Sequence, residues 1–348
     1  MANMTLPAGL GDATVNHEST ETRRSLLDVL RAPGVASVVI GASKDPNAKI
    51  TVLLLAAGDD CPTVAVKAPT TAVAEAAVRA EIELLRALRQ RVDDERLLAT
   101  IPQVIELIDF RGAAAMGTTA LAGMPMTTLY HRWRHLSRPA SVAADFRAMG
   151  AWLAWLQQAT MGPVQALEMD GGTVRRLRDR FREDTDIGAV SDRLRRIHDR
   201  LRRSSAPRTA VHGDLWHGNV LVHDGAVSGV VDWEAGASVG EPLRDLVRFP
   251  LIYALYLDRH TRPGRPVAGH PGLRAGRWGT GVEYALEGKG WFPELFRSFL
   301  QAGLDRLGAA PDCWREAAVA GIAEIAATTD DLHFGRHHLQ LFRQLSDR

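Results

Sequence analysis

Residues 211–236 read VHGDLWHGNVLVHDGAVSGVVDWEAG, a stretch that sets Asp214, Asn219 and Asp232 among apolar runs. Asp224-Gly225 between NVLVH and AVSGVVD is a two-residue hairpin signal, because both positions must take a positive φ. That turn predicts His223 opposite Ala226, Val222 opposite Val227 and Asn219 opposite Val230. Asp232 then falls diagonally from Asn219, at roughly 7–8 Å between backbones. Asp214 lies on the loop entering the first strand. An amide oxygen and two carboxylates converging in this way suit a hard cation such as Mg²⁺, which takes oxygen ligands and keeps some positions for waters and phosphates.

Upstream, three strand-like runs, VASVVIG (35–41), ITVLLLA (50–56) and TVAVKA (63–68), are separated by turn compositions. A helix is expected over 71–91, with Val78, Ile82, Leu85 and Leu88 on its buried face. IPQVIELIDFRG and AAAMGTTALAG read as two further strands, which makes a five-stranded sheet with one helix after the third strand. Before the sheet, STETRRSLLDVLRAPG reads as a helix capped by Ser19 or Thr20 and stopped at Pro33-Gly34. Beyond GMPMTTL the chain turns helical. The Gly-, Pro- and Arg-rich segment 261–281 has the composition of a long loop or lid.

HGDLWHGN followed by VVDWE resembles the aminoglycoside phosphotransferase and choline kinase superfamily, small-molecule relatives of protein kinases. The resemblance implies an α+β, bilobal, protein-kinase-like fold. A small lobe with a five-stranded antiparallel sheet and one helix would precede a larger, mainly helical lobe. It implies an N-terminal extension over 1–34, a nucleotide-binding lobe over 35–120 and a lobe with catalytic loop and acceptor site over 121–348. It also implies Asp214 as general base, Asn219 and Asp232 as metal ligands, and ATP and Mg²⁺ as cofactors. TVAVKAP resembles the kinase third strand, making Lys67 the phosphate-gripping lysine. Glu81 would orient Lys67, with Glu75 or Glu83 in its place if the helix phase differs. Thr118, Thr119 and Ala120 would present backbone groups to adenine, and Asp245 would brace the catalytic loop. Ser43, in a first turn that is not a G-x-G-x-x-G loop, would help cover the phosphates. Trp216-His217 stands where the family often has His-Pro, and Glu241 where an aspartate is common.

Composition agrees with an enzyme of this kind. The 348 residues are 46% hydrophobic and 24% charged with net charge +1, which selects neither nucleic acid nor membrane as partner. No apolar run is long enough to span a bilayer, and the first residues lack a secretory pattern, so a cytoplasmic monomer or homodimer is expected. Cys61 and Cys313 make no disulfide framework. Of 42 cationic residues only Lys44, Lys49, Lys67 and Lys289 are lysines, and three of these cluster before the first helix of the sheet. Where arginine is the default cation, a lysine marks a place where a compact ammonium serves better. Between Thr173 and Ser204, eleven arginines are interspersed with six acids, a mixed solvated helix pair and not a nucleic-acid face.

The acceptor is expected to be a small molecule bearing a hydroxyl. Amine-bearing acceptors, with aminoglycosides or amino sugars first and choline or a neutral sugar as alternatives, call for carboxylates and aromatic faces. Asp330 and Asp331 are the first candidates, then Glu324, Glu283 and Trp291, with Glu287 and Trp278 beside them. A regulatory, nucleotide-binding pseudokinase would have lost Asp214, Asp232 or Lys67, and the chain keeps all three. Gly236 to Gly240 spells the G-x-S-x-G of serine hydrolases around Ser238, without the strand-helix alternation or oxyanion segment that fold needs.

Overall fold

The computed structural model describes residues 24–42, 46–169 and 171–347. In the N-terminal part, α1 (Leu26–Leu30) leads to β1 (Val35–Ala42), β2 (Lys49–Ala56), β3 (Val64–Pro69), α2 (Ala72–Arg91), α3 (Glu95–Leu98), β4 (Val104–Phe110) and β5 (Ala113–Thr119). The strands form one antiparallel sheet in the order β1-β2-β3-β5-β4. The expected α1 cap is corrected: Ser19 and Thr20 lie outside the described residues, and the helix starts at Leu26 with Ser25 Oγ accepting from the Asp28 N–H. One apolar cluster joins Leu26 and Val29 of α1 to Val52, Leu54, Val64, Val66 and Ile108 of the sheet. The buried face of α2, with Val78, Ile82, Leu85 and Leu88, belongs instead to the large core of the helical part. That helix therefore ties the two parts together.

A connecting strand, β6 (Met124–Pro125), opens the second part, followed by α4 (Met126–Tyr130), α5 (Pro139–Ala159), β7 (Val164–Ala166), α6 (Thr173–Arg180), α7 (Ile187–Leu201), β8 (Ser205–Pro207) and β9 (Thr209–Val211). The hairpin β10 (Val220–His223) and β11 (Ala226–Val230) comes next, then a 3₁₀ turn at Trp233–Ala235 and β12 (Ala237–Gly240). The rest is helical: α8 (Leu243–Leu255), α9 (Thr280–Glu287), α10 (Trp291–Arg306), α11 (Trp314–Thr328) and α12 (Leu332–Ser346). The fold is the expected α+β, protein-kinase-like one, a five-stranded antiparallel sheet joined to a helical part. Among the described residues no helix is long and apolar enough to cross a membrane.

One irregular segment agrees with the sequence reading that it is no nucleophile elbow, and another departs from its reading as a lid. Ser238 lies in β12, paired with β9, and its carbonyl accepts from Arg91, so the G-x-S-x-G run is extended strand and not a nucleophile elbow. The 261–281 segment is a packed loop, not a lid. Val267, Leu273 and Ala275 are buried, His270 Nε2 meets the Leu136 carbonyl at 2.9 Å, and Trp291 Nε1 donates to the Gly269 carbonyl at 2.6 Å.

Candidate active site

The hairpin carries the site, with one change of register. His223 pairs with Ala226 and Val222 with Val227 as expected, but Leu221 pairs with Gly229 and Val220 with Val230. Ser228 is the extra residue of a bulge, which leaves a side chain outside the ladder, and its hydroxyl donates to the Ala122 carbonyl at 2.7 Å. Asn219 consequently faces Val231, whose N–H donates to its carbonyl at 2.9 Å, one step nearer Asp232 than the unbulged register gives.

Asp232 follows in the left-handed region, φ +73°, a strain on the order of 1 kcal/mol for a residue with a Cβ. That backbone turns its carboxylate to Lys67, whose Nζ lies 2.6 Å from Asp232 Oδ1 and 2.7 and 2.8 Å from the two Glu81 oxygens. Glu81 is buried on α2, and its Oε1 also accepts from the Trp233 N–H at 3.1 Å. The helix phase is thus the one read from the apolar pattern. Glu75 pairs with Arg79 on the outside, and Glu83 is exposed. Burial pushes the Lys67 ammonium down, but Asp232 and Glu81 outweigh it and hold its pKa above the ordinary value. Conversely, the Lys67 charge, against the effect of burial, brings Asp232 down to about 2.

The loop that carries Asp214 is held from below. Asp245, buried at the start of α8, accepts from the N–H groups of His212 and Gly213 at 2.6 and 2.9 Å. Gly213 has φ +80°, and a Cβ there would lie 2.0 Å from the Ala235 carbonyl oxygen, so only glycine fits between His212 and Asp214. His212 Nδ1 accepts from the Asp214 N–H at 3.2 Å while Nε2 reaches the Val231 carbonyl at 2.8 Å, joining loop to hairpin. Asn219 Nδ2 donates to the Asp214 carbonyl at 3.0 Å. Two residues that the sequence reading passed over complete the loop. Arg248 Nη2 lies 2.5 Å from Asp214 Oδ1, and Arg248 and Arg244 both reach Glu324 on α11. Their signal was the i, i+4 spacing of two arginines on a helix that is otherwise buried.

A cavity of about 590 Å³ opens beside Asp214, with Trp216, Ile252, Tyr256 and Phe334 among its walls and Asp330 and Asp331 at its far side. Of the expected acceptor residues these two acids reach it. Asp331 is already the N-cap of α12, accepting from His333 and Phe334. Glu324 is buried beneath the cavity, engaged by the two arginines. Glu283 and Glu287 pair with Arg277 and Arg315, Trp278 packs on Phe334 and His338, and Trp291 packs on His270, so these four are not brought to the cavity.

Toward the sheet, two of the backbone donors expected near adenine are used within the protein. The Thr119 N–H donates to Gln103 and the Ala120 N–H to Thr63, both at 2.9 Å, so neither donor is open to a base. Thr118 is buried under Ala65. Ser43 lies outside the described residues. Lys49 on β2, unforeseen as a site residue, pairs with Glu234, which also accepts from Asn47 Nδ2 at 2.9 Å. Glu81, Asp232 and Glu234 each bring an oxygen within 4.8 Å of the others. The Asp232 side chain remains 42% exposed, so it offers a hard oxygen donor to a divalent cation, while Glu81 and Glu234 are held by Lys67 and Lys49.

The profile of the phosphotransferase enzyme family (APH) matches residues 51–278 of this arrangement, including Lys67, Asp214, Asn219 and Asp232. The chain belongs to that family. It is accordingly a small-molecule phosphotransferase. No curated protein matches its sequence. Among solved structures it is similar in fold to a thermostable mutant of aminoglycoside phosphotransferase APH(4)-Ia in a ternary complex with ADP and hygromycin B. The TM-score is 0.55 at 10% identity over 90% of this chain and 93% of that one. A second mutant of the same enzyme, bound to AMP-PNP and hygromycin B, gives 0.55 at 11% identity over 92% and 97%. A GDP complex of a 2′-phosphotransferase IIIa mutant gives 0.50 at 13% over 90% and 91%.

Proposed function

We propose that this phosphotransferase moves the γ-phosphoryl group of ATP, taken as its magnesium complex, to a hydroxyl of an amine-bearing small molecule seated beside Asp214. One observation carries the reading: Lys67 is fixed between Glu81 and Asp232, and Asp214 lines a cavity that extends to Glu234, the neighbour of those two carboxylates. Phosphoryl transfer asks the protein for position and charge more than for covalent chemistry. Lys67 grips the phosphates, and Glu81 keeps its side chain from turning away. Asp232 and the Asn219 Oδ1 would hold Mg²⁺, the Asn219 amide nitrogen being engaged by the Asp214 carbonyl. When bound, that ion neutralises negative charge on the phosphates.

The acceptor oxygen attacks the γ-phosphorus as the bond from phosphorus to the bridging oxygen of the β-phosphate breaks, and ADP leaves. Asp214 orients the hydroxyl and takes its proton. The test is ADP release with ATP and Mg²⁺ across amine-bearing alcohols, beside Asp214→Asn. Loss of about 10²–10⁴ in acceptor-dependent rate is expected of the variant. An Asp214→Asn protein as fast as the parent would remove Asp214 from the reaction.

A further inference from the structure

The cavity beside Asp214 has the volume of a site for a drug-sized molecule, about 590 Å³. Its charges are almost all engaged by the protein itself. Asp214 is tied to Arg248, Glu234 to Lys49, and Arg244 and Arg248 to the buried Glu324. Asp331 spends one oxygen on two N–H groups of α12. Among the described residues the lining therefore offers one carboxylate without an ion pair or side-chain hydrogen bond, Asp330. A polycationic sugar with several ammonium groups would enter a site that also presents two arginines and could pair only one or two of its charges. The unpaired ones would lose water without compensation.

The remaining wall is largely aromatic and aliphatic, with Asn47, Thr328 and Thr329 as its polar members. Trp216, Tyr256 and Phe334 are partly open to the cavity, and the buried Ile252 also lines it. The Trp216 indole is folded over Gly218, where a Cβ would come within 2.3 Å of the ring, so the loop sequence itself makes room for this face. Aromatic faces attract a desolvated cation and cover apolar rings.

From this balance of charge and wall we propose that the acceptor is an alcohol with a single basic nitrogen in an aromatic or alicyclic body, its ammonium directed to Asp330. This rests on the phosphotransferase reading above and narrows its acceptor. Bond making and breaking are those already described, the acceptor oxygen taking the phosphoryl group and ADP departing.

The experiment uses the full chain with ATP and Mg²⁺ and two sets of probes. Propranolol and quinine each carry a secondary hydroxyl, an aromatic body and one strongly basic amine; kanamycin and neomycin are polycations. ADP release gives kcat/KM, and calorimetry with AMP-PNP present gives binding. The monobasic set is expected to exceed the polycations by about tenfold or more in kcat/KM. Asp330→Asn should raise the KM of the monobasic probes about fivefold, the size of a partly exposed ion pair. Phe334→Ala should raise it further while the KM for ATP stays put. Turnover of kanamycin or neomycin at or above the monobasic probes overturns the inference and leaves the phosphotransferase standing. So does failure of propranolol and quinine both to react and to bind while AMP-PNP binds. Absence of AMP-PNP binding removes the phosphotransferase reading and the inference with it.

Discussion

Arg248 Nη2 stands 2.5 Å from Asp214 Oδ1, and the same guanidinium reaches Glu324 through its other amino group at 3.5 Å. One largely buried arginine thus spans the Asp214 loop and α11, and Arg244 closes the set from one helical turn earlier. Two carboxylates and two guanidinium groups balance. Such a network costs desolvation and holds only while every member is present. It fixes the Asp214 side chain in one orientation before any acceptor arrives.

Glu324→Leu leaves both arginines short of a partner at a site where Glu324 is 2% exposed. Urea unfolding should show a loss of about 3–5 kcal/mol, the cost of breaking a buried pair by removing one member. Glu324→Gln keeps the shape and a hydrogen-bond acceptor and should lose less. In both, kcat should fall more than the KM for ATP rises, because the loosened group is Asp214 and not Lys67. A Glu324→Leu protein as stable as the parent would show that the pairings add nothing to the fold.

Lys67→Met removes the cation shared by Glu81 and Asp232. Both carboxylates then face each other across the phosphate site, and the triphosphate meets two negative charges in place of an ammonium. ADP release should fall by about 10²–10³, the scale of losing one preorganised electrostatic contact, with a higher KM for ATP. Glu81→Gln, which retains an oxygen for Lys67, should cost less in the same assay. Equal effects would mean that Glu81 does more than hold the lysine.

The pair Lys67–Glu81 was legible through the resemblance of TVAVKAP to the kinase third strand, and the apolar phase of the helix favoured Glu81 over Glu75 and Glu83. The hairpin was legible at its turn and slipped at Ser228, since a bulge is set by what the extra residue can bond to, here the distant Ala122 carbonyl. Arg248 stayed hidden and Glu324 was read as an acceptor residue, because 76 residues separate the pair and each sits in a helix whose pattern speaks only of core. Glu283 and Trp291 had the right chemistry in the wrong place. Sequence composition cannot tell that Arg277 and the Gly269 carbonyl already hold them.

Gly218→Ala tests the aromatic wall without touching a charged group. The added Cβ would lie 2.3–2.4 Å from Trp216 ring carbons, so the indole must move. The cost to folding should be about 1–3 kcal/mol, the range for overpacking, and the acceptor KM should rise while the KM for ATP changes little. Tryptophan emission from Trp216 should shift with it. An unchanged acceptor KM would detach this indole from the acceptor.

Acid stability follows from buried imidazoles, of which His217 and His338 are lowered furthest and His270 to about 4. Burial lowers the pKa of His217 and of His338 from 6.5 to about 3 in each case. His338 Nδ1 meets the Phe334 carbonyl at 3.0 Å between Trp278 and Phe334, and His217 stacks on Tyr130 with ring centroids 4.3 Å apart. Between about pH 6.5 and 3 the unfolded chain binds protons on these rings that the folded chain refuses. Their contribution is therefore complete above 6.5 and is lost as the pH falls through that window, at up to about 1.4 kcal/mol per pH unit for each ring. The lowered carboxylates, such as Asp184 and Asp94, have an ordinary value of 3.8 and act only at the acid end of the same range. Urea midpoints at pH 7.5, 6 and 5 should fall steadily below 6.5. His338→Phe removes one proton site while keeping an aromatic ring, and should flatten that slope by one ring's share. A slope unchanged in His338→Phe would place the acid sensitivity elsewhere than in this imidazole.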